Sequence, residues 1–301
     1  MISKYTYKGL TWVDLESPTP EELDHITEEY NIPDSVRKEV GNESDHSKVE
    51  LHPKCIYLIL HFPHNNHKKD NHQEQEIDFI VGEKFMITVH YEFSHSLTEF
   101  SKKFEDGKTF EQKTDLDHIG VLVYHLIRTL YSHSRENLGI VSKMIKNTEY
   151  EIFKGNGSRV VADLSNANHI LIDFRLALGF HQDVLESFEV STKQFFGDKF
   201  VVYFTAILSE YKKTKAILEN YKDVLDNLRE TNDSVLANKT NETIKILTII
   251  TFLISPVTVI SSIFMMNTDI VLNRNEFYIV LLAMFITSII TFIYFKLRKW
   301  I

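Results

Sequence analysis

The chain has 301 residues, 33 Lys and Arg against 42 Asp and Glu, and a formal net charge of -9. It lacks the basic face that binding to phosphate backbones requires, which excludes nucleic acid as a partner and suits a protein that handles cations. The single cysteine, Cys55, cannot form an internal disulfide, in agreement with a reducing compartment.

Residues 1–112 are predicted to form an α/β domain. The predicted strands are Trp12 to Leu15, Lys48 to Phe62, Glu76 to Val81 and Phe85 to Val89. The last three are expected to pair as a small antiparallel sheet. A helix is expected to follow the first strand and to end near Tyr30, because Thr19, Pro20 and Glu22 supply a capping hydroxyl, a first-turn proline and a third-position carboxylate.

Residues 113–245 are predicted to be a helical hairpin and a stalk helix. Two helices, from about Asp115 to Phe153 and from Ser158 to Phe196, are separated by two glycines that favour a tight turn. Apolar residues then recur at alternating spacings of 4 and 3, the pattern of a heptad seam. The seam comprises Ile207, Tyr211, Thr214, Leu218, Tyr221, Leu225, Leu228, Asn232 and Val235. It packs against the hairpin of its own subunit or against copies of itself, and both alternatives stay open.

Residues 246–301 are predicted to be a transmembrane hairpin. The stretches Ile246 to Met266 and Phe277 to Phe295 carry no charge, and at roughly 1.5 Å of rise per residue each reaches about 28–32 Å, enough to cross the hydrocarbon core. No Pro or Gly lies between Asp198 and Pro256, so we expect the stalk to enter the membrane as one helix of about sixty residues.

The orientation in the membrane follows from the flanking charges. The cations beside the spans are Lys239, Lys245, Lys296, Arg298 and Lys299. The positive-inside rule therefore places both termini and the large N-terminal part in the cytoplasm, and the short loop 267–276 outside. The chain is predicted to be a multi-pass protein held in plasma-membrane lipid.

The polar residues of the first span lie on one helix face. They recur at spacings of 3, 4, 3 and 4 as Thr248, Thr251, Ser255, Thr258 and Ser262, which we call the hydroxyl stripe, with Asn241 before it and Asn267 after it. Such hydroxyls form helix contacts, bond back to their own carbonyls, or line a water-filled path for a hard cation. Pro256 lies in mid-span, where it removes one backbone hydrogen bond.

Several segments carry a family resemblance that extends over nearly the whole chain. They are Asn241 to Ile250, Pro256, Met266-Asn267 and Tyr294 to Ile301 at the C-terminal end, and Trp12 to Leu15, Lys48 to Glu50, Leu58 to Pro63 and Ile87 to Val89 upstream. In these segments the chain resembles the CorA-type divalent cation transporters. The resemblance implies a funnel-shaped homopentameric channel with an α+β cytoplasmic domain, a long helical stalk and two C-terminal transmembrane helices.

The resemblance also implies roles for individual residues. Asn241, Thr251, Ser255 and Thr258 match pore-facing positions of the family, and Thr248 and Ser262 extend the same face. A Gly-Met-Asn motif ends the pore helix in the family, and Met265, Met266 and Asn267 occupy its positions here, with Asn267 as the residue that receives hydrated Mg²⁺. The external Asp269 and Glu276 either concentrate cations by their field or are plain solubilising charges.

The function implied by the resemblance is uptake of Mg²⁺, with Co²⁺ or Ni²⁺ as further ions, down the electrochemical gradient and without a cofactor. Met265 stands where the family has glycine, which puts the ion and the direction in question. There are two alternatives. One is a zinc or other divalent metal transporter or exporter of the superfamily, and the other is a non-conducting membrane-anchored metal sensor. An enzyme is not expected, because the sequence has no glycine-rich phosphate loop, nucleophile elbow or His-Glu-x-x-His pattern.

Two further expectations concern regulation and metal binding. In magnesium channels of the family, an acidic residue after a Tyr-Phe-x pattern helps to bind the cytosolic Mg²⁺ that closes the pore, but here Ala206 follows Tyr203-Phe204-Thr205. We therefore expect that sensor to be absent. The candidate imidazole ligands for a borderline metal such as Zn²⁺ are His61, His64 and His67, although no cysteine or acid completes a tetrahedral set.

Overall fold

The computed structural model describes residues 1–63, 74–105, 118–155, 157–266, 274–298 and 300, without the side chains of residues 105, 158, 199, 266 and 274–276. These residues form two compact units. The first comprises Met1–Glu151 with Ser158–Leu228, and the second comprises Ile152–Gly157 with Arg229–Ile301. The division of the sequence into segments 1–112, 113–245 and 246–301 stays a prediction.

The first unit contains a six-stranded mixed sheet. Its strands are β1 Ile2–Tyr7, β2 Leu10–Glu16, β3 Lys48–Leu51, β4 Ile56–Pro63, β5 Glu74–Val81 and β6 Phe85–His90, in the order β1-β2-β6-β5-β4-β3. The antiparallel pairing of β4, β5 and β6 confirms the prediction. The pairing of β2 with β6 is parallel, since the chain crosses over through helices and three strands between them.

The sequence prediction differs from the structure at two of these strands. The segment predicted as one strand from Lys48 to Phe62 is a hairpin of β3 and β4, which pair antiparallel. The short connection between them is closed by a backbone hydrogen bond of 2.9 Å from His52 N to Cys55 O. Strand β1 is absent from the prediction and pairs with β2 along its whole length.

The helices are α1 Pro20–Glu29, α2 Asp34–Val40, α3 His95–Glu105, α4 Ile119–Lys154, α5 Gly157–Leu178, α6 His181–Phe196, α7 Val201–Met266 and α8 Arg274–Leu297. The predicted cap of α1 is confirmed, because Thr19 Oγ1 accepts from Glu22 N and the Glu22 carboxylate accepts from Thr19 N. Helices α1 and α2 pack on one face of the sheet around Val13, Tyr57 and Ile80. Residues of α3, α4, α6 and α7 form a larger core on the other face.

The predicted helix from Ser158 to Phe196 is wrong, because it is broken at Gly179 and Phe180 into α5 and α6. The break places His181 at the start of α6, fully buried, where its Nδ1 is hydrogen-bonded to the hydroxyl of Tyr131 at 2.6 Å. The buried positions keep their spacing across the break, from Phe174 and Leu178 to His181 and Leu185. The apolar periodicity of the sequence therefore conceals it.

The stalk is one helix, as predicted, and α7 runs for 66 residues. Within the first unit its seam packs in its own subunit, because Ile207, Tyr211 and Leu218 belong to the core that α4 and α6 share. A partly buried ion pair joins α4 to α7, with Arg135 Nη2 at 2.8 Å from Glu210 Oε2 and Arg135 Nη1 at 3.1 Å from Thr214 Oγ1. Burial opposes ionisation of Glu210, but the cations of Lys213 and Arg135 outweigh it and lower its pKa.

Gly197, which ends α6 just before the stalk, is expected to be intolerant of substitution. Its φ of 82 and ψ of -177 lie in a region that is essentially restricted to glycine, so Gly197→Ala should lower the free energy of unfolding by about 1–3 kcal/mol. The control is Gly139→Ala in the interior of α4, where an added methyl group meets nothing within 4 Å and should stabilise the helix by roughly 0.5–1 kcal/mol. Thermal unfolding of the full chain in detergent checks both, and shifts of the same sign would contradict the assignment.

Candidate functional site

Two helices of the second unit have the length and composition of membrane spans. The most apolar windows of α7 and α8 have mean hydropathies of 2.2 and 2.3. Only 6% of the first window and none of the second is buried within the chain. A core helix of a water-soluble domain would be largely buried, so this exposure favours two helices that meet lipid or other subunits.

One face of the α7 span packs on α8. Ile249 and Phe295 are the buried side chains of this contact, and the rings of Phe252 and Phe295 lie 5.8 Å apart. Further along, Leu253 and Val257 of α7 line a shallow apolar groove with residues of α8. This face uses the apolar residues of the span.

The hydroxyl stripe lies on the other side of α7. At about 100° per residue, Ser255 and Ser262 lie roughly opposite Ile249 and Leu253 on the helix. Accordingly Thr251, Ser255, Thr258 and Ser262 are exposed in the chain, and Thr248 is half-buried. Asn241 is exposed as well. Among the described residues, the four exposed hydroxyls of the stripe are therefore not buried against α8, so packing on α8 does not explain them.

The threonine hydroxyls of the stripe bond back to their own helix. Thr248 donates to Ile244 O at 2.8 Å, Thr251 to Leu247 O at 2.9 Å and Thr258 to Ile254 O at 3.2 Å. A hydroxyl has one donor and two acceptor lone pairs, so this bonding uses the donor and leaves acceptor capacity on the exposed side. Acceptors are what the outward-pointing hydrogens of water around a cation require.

Pro256 lies inside α7, next to Ser255 of the stripe. Proline has no backbone N–H, so the carbonyl of Phe252, four residues earlier, lacks its usual intrahelical donor. In a membrane such a carbonyl must find another partner, such as a side chain or water. The middle of the span is thus its most polar point.

The predicted outer mouth lies mostly outside the described residues. Met265 is exposed near the end of α7, and the helix ends at Met266, whose side chain is not described. Asn267 and Asp269 lie outside the described residues, and so does the side chain of Glu276. The roles given to these residues stay predictions.

His61 lies on strand β4 and is buried. Its Nδ1 is 3.1 Å from Ser47 Oγ, and its Nε2 is 2.9 Å from Ser44 O and 3.4 Å from Glu76 Oε2. Burial lowers the pKa of His61, but the Glu76 carboxylate outweighs it and the net shift is upward. Both ring nitrogens are thus engaged inside the first unit.

The wider metal-site prediction stays a prediction. His64 and His67 lie outside the described residues. In the part of the chain that the structure describes, no three His, Cys, Asp or Glu side chains are placed to hold a metal ion. Ala206 lies half-buried in the first turns of α7, and the absence of the family's sensor stays a prediction.

Sequence reasoning missed the residues that fix the stalk. Glu210 is nearly buried and is held by Arg135 and Lys213, the latter at 2.8 Å. The sequence carries one signal for this pair, since Glu210 directly precedes the seam residue Tyr211. An acid beside a buried position needs a cation partner.

These features define a two-span membrane protein with an extensive domain outside the lipid. They are a large α/β unit, a 66-residue helix that ends in an apolar span, and a second apolar helix. A family profile described as "CorA-like Mg2+ transporter protein" matches residues 7–297. The chain therefore belongs to the CorA family, and it is a plasma-membrane protein with two C-terminal spans.

The similar proteins cover nearly all of the chain at low identity. The "Cobalt/magnesium transport protein CorA" of Thermotoga maritima is 20% identical over 97% of this chain and 83% of its own length. The "Magnesium transport protein CorA" of Wolinella succinogenes is 23% identical over 99% of this chain and 93% of its own.

Solved structures show the same fold. The CorA magnesium transporter from Methanocaldococcus jannaschii matches with a TM-score of 0.82 and 19% identity, over 99% of this chain and 94% of that one. The cytoplasmic domain of ZntB from Vibrio parahaemolyticus matches with a TM-score of 0.59 and 13% identity, over 78% of this chain and 90% of that one. At these identities the likeness establishes the fold alone.

Proposed function

We propose that the protein is a homopentameric channel that takes up Mg²⁺, and with it Co²⁺ or Ni²⁺, into the cytoplasm down the electrochemical gradient. The observation that carries this proposal is the hydroxyl stripe, which is exposed on the side of α7 away from α8. Exposed hydroxyls on a membrane helix are unfavourable against lipid and favourable against water. A ring of α7 helices with the stripes turned inward gives them a watery axis.

The chemistry of the stripe suits a hydrated ion. Mg²⁺ gives up its water reluctantly, so a path that receives the ion with its water shell costs less than one that strips it. Thr251, Ser255 and Thr258 offer neutral acceptors at successive turns of α7. An inside-negative potential of about 100 mV favours inward movement of a divalent ion by about 4.6 kcal/mol, so uptake requires no ATP.

At the outer mouth, Asn267 is assigned to receive the hydrated ion, and Met265 and Met266 complete the motif. Asp269 and Glu276 raise the local cation concentration through their field. Asn241 continues the pore toward the cytoplasm, and it is exposed on α7 before the span. Membership of the CorA family supports these roles.

A second candidate is transport of Zn²⁺ or another divalent metal, with or without proton exchange. Met265 favours it, because its exposed side chain replaces the family's glycine near the end of the pore helix. A long side chain at that point changes the shape of the mouth. A non-conducting metal sensor is the remaining alternative.

Metal flux into liposomes separates these candidates. The purified full chain is reconstituted, and uptake of Mg²⁺, Co²⁺, Ni²⁺ and Zn²⁺ is compared with and without a pH gradient. Mg²⁺ uptake that follows the membrane potential supports the channel. Zn²⁺ flux that requires a pH gradient supports the exchanger, and correctly assembled oligomers without any flux support the sensor.

Asn267→Ala is expected to lower Mg²⁺ flux by about tenfold, since the ring of amide oxygens that accepts from the water shell is lost. The same liposome assay measures it. The control is Asn238→Ala, an exposed position of α7 before the span. If both variants conduct like the wild type, Asn267 has no part in receiving the ion.

A further inference from the structure

The turn between α4 and α5 lies against α7 in the second unit. A methyl group added at Gly155 would lie 3.5 Å from Lys239 Nζ, and one added at Gly157 would lie 3.5 Å from Leu236 Cδ2. Gly155 has a φ of 82, which permits the tight turn. The segment Ile152–Gly157 is thereby held beside one turn of α7, just before the membrane span.

This contact sets the distance between the turn and the lipid. Ile246, where the apolar span begins, lies seven positions after Lys239 on unbroken helix, which corresponds to a rise of about 10 Å. The polar headgroup layer extends about 5–7 Å beyond the hydrocarbon core on each side. The turn therefore lies within a few Å of the headgroups of the inner leaflet.

The chemistry of the turn fits such a surface. Phe153 is 73% exposed, so its ring is available for contact with the interfacial layer. The segment from Ile152 to Gly157 carries Lys154 and no acid, although the whole chain has a net charge of -9. On the neighbouring stretch of α7, Lys239 and Lys245 are exposed, with Glu242 as the acid between them.

We propose that this turn docks on anionic phospholipid of the inner leaflet. Phe153 enters the interfacial layer, and Lys154, Lys239 and Lys245 meet the phosphate and acidic headgroups. Juxtamembrane cations of this kind bind anionic lipid, and an aromatic ring adds apolar contact. The docking ties the end of the cytoplasmic hairpin to the bilayer, and it depends on membrane insertion but not on ion conduction.

The test places an indole at the turn. The full chain carries Phe153→Trp and Trp300→Phe, so the one other indole is that of the buried Trp12. This variant is reconstituted into nanodiscs of brominated phosphatidylcholine, with or without brominated phosphatidylglycerol. Bromine quenches an indole that reaches the lipid. We expect strong quenching in discs that contain phosphatidylglycerol and weaker quenching in phosphatidylcholine alone.

The charge contribution is measured by neutralising the lysines. In the Phe153→Trp background, Lys154→Gln and Lys239→Gln are each expected to lower the ratio of docked to undocked turn about fivefold, the effect of one cation near an anionic surface. Lys154→Arg keeps the charge and should keep the quenching. Size-exclusion chromatography confirms that every variant assembles like the wild type.

The matched control for position is Val190→Trp on α6, an exposed apolar position of the first unit, which should remain unquenched in both lipids. Quenching at position 153 that is absent in both kinds of disc overturns the proposal. Equal quenching with and without phosphatidylglycerol, unaffected by the lysine variants, overturns it as well. Neither result bears on metal flux, which is measured separately.

Discussion

Ser255→Leu is expected to reduce Mg²⁺ flux at least about a hundredfold. Each subunit then loses a hydroxyl acceptor worth about 0.5–1.5 kcal/mol, and this loss is repeated in every subunit of the ring. A rise of about 1.4 kcal/mol in the barrier lowers the rate tenfold. The leucines also narrow the path and favour its dewetting. Ser255 is exposed next to Pro256 in mid-span, so the chain itself offers no packing that the larger side chain would disturb. Liposome uptake of Mg²⁺ measures the effect.

The control for this prediction is the same substitution elsewhere on the helix. Ser261 lies in the same span but off the hydroxyl stripe, and it is half-buried. Ser261→Leu therefore places the same side chain away from the proposed axis, and we expect it to keep most of the flux. Equal inhibition by the two variants would mean that the stripe has no special role, and full activity of Ser255→Leu would remove it from the pore.

The sequence alone predicted the stripe because five hydroxyls among apolar residues make a period of 3.6 easy to read. It could not decide between a helix contact, back-bonding and a water-filled path. The position of α8, which packs on Ile249 and leaves Ser255 and Ser262 on the other side, argues against a contact with α8, and the pore lining stays a proposal. The structure also shows that back-bonding and a pore lining are compatible, since the bond of Thr251 to Leu247 O uses only its donor.

The fold was predictable wherever local chemistry decides the conformation. The cap at Thr19 follows from a hydroxyl, and the end of α6 at Gly197 follows from the backbone freedom of glycine, and both act within one turn. The parallel pairing of β2 with β6 was not predictable, because it joins Val13 to Ile87 across a long crossover whose path no local pattern records. The break at Gly179 was hidden for a related reason, since packing rather than periodicity places it.

His61 illustrates a signal that was available in the sequence but was not used. Tyr57, Ile59 and His61 alternate along a strand, and side chains two residues apart point to the same face. The alternation predicts that His61 shares the buried face of Ile59, rather than the loop with His64 and His67. Its buried partner Glu76 lies directly opposite on β5, in register with it. Both ring nitrogens thus have protein partners, and the metal role of His61 stays a prediction.

His181 is expected to make the protein less stable in acid. Burial is the main cause that lowers its pKa to about 3, against a smaller upward effect of a hydrogen bond with the His61 backbone. Below pH 6.5 the unfolded chain binds a proton at this position that the folded chain cannot bind. The free energy of unfolding therefore falls by about 1.4 kcal/mol for each pH unit from pH 6.5 toward pH 3, and it is unaffected by this group above pH 6.5.

His181→Asn isolates this contribution, because the amide oxygen still accepts from the Tyr131 hydroxyl but no longer titrates. Its stability relative to the wild type should rise by about 2 kcal/mol between about pH 6.5 and about pH 5, as measured by chemical unfolding of the full chain in detergent. Tyr131→Phe instead removes a buried donor and should destabilise by about 1–3 kcal/mol at every pH. His118 and His125 also have pKa values lowered by burial, so a residual slope persists in all three proteins. Parallel pH profiles for the wild type and His181→Asn would show that the buried imidazole becomes protonated in the folded chain without cost.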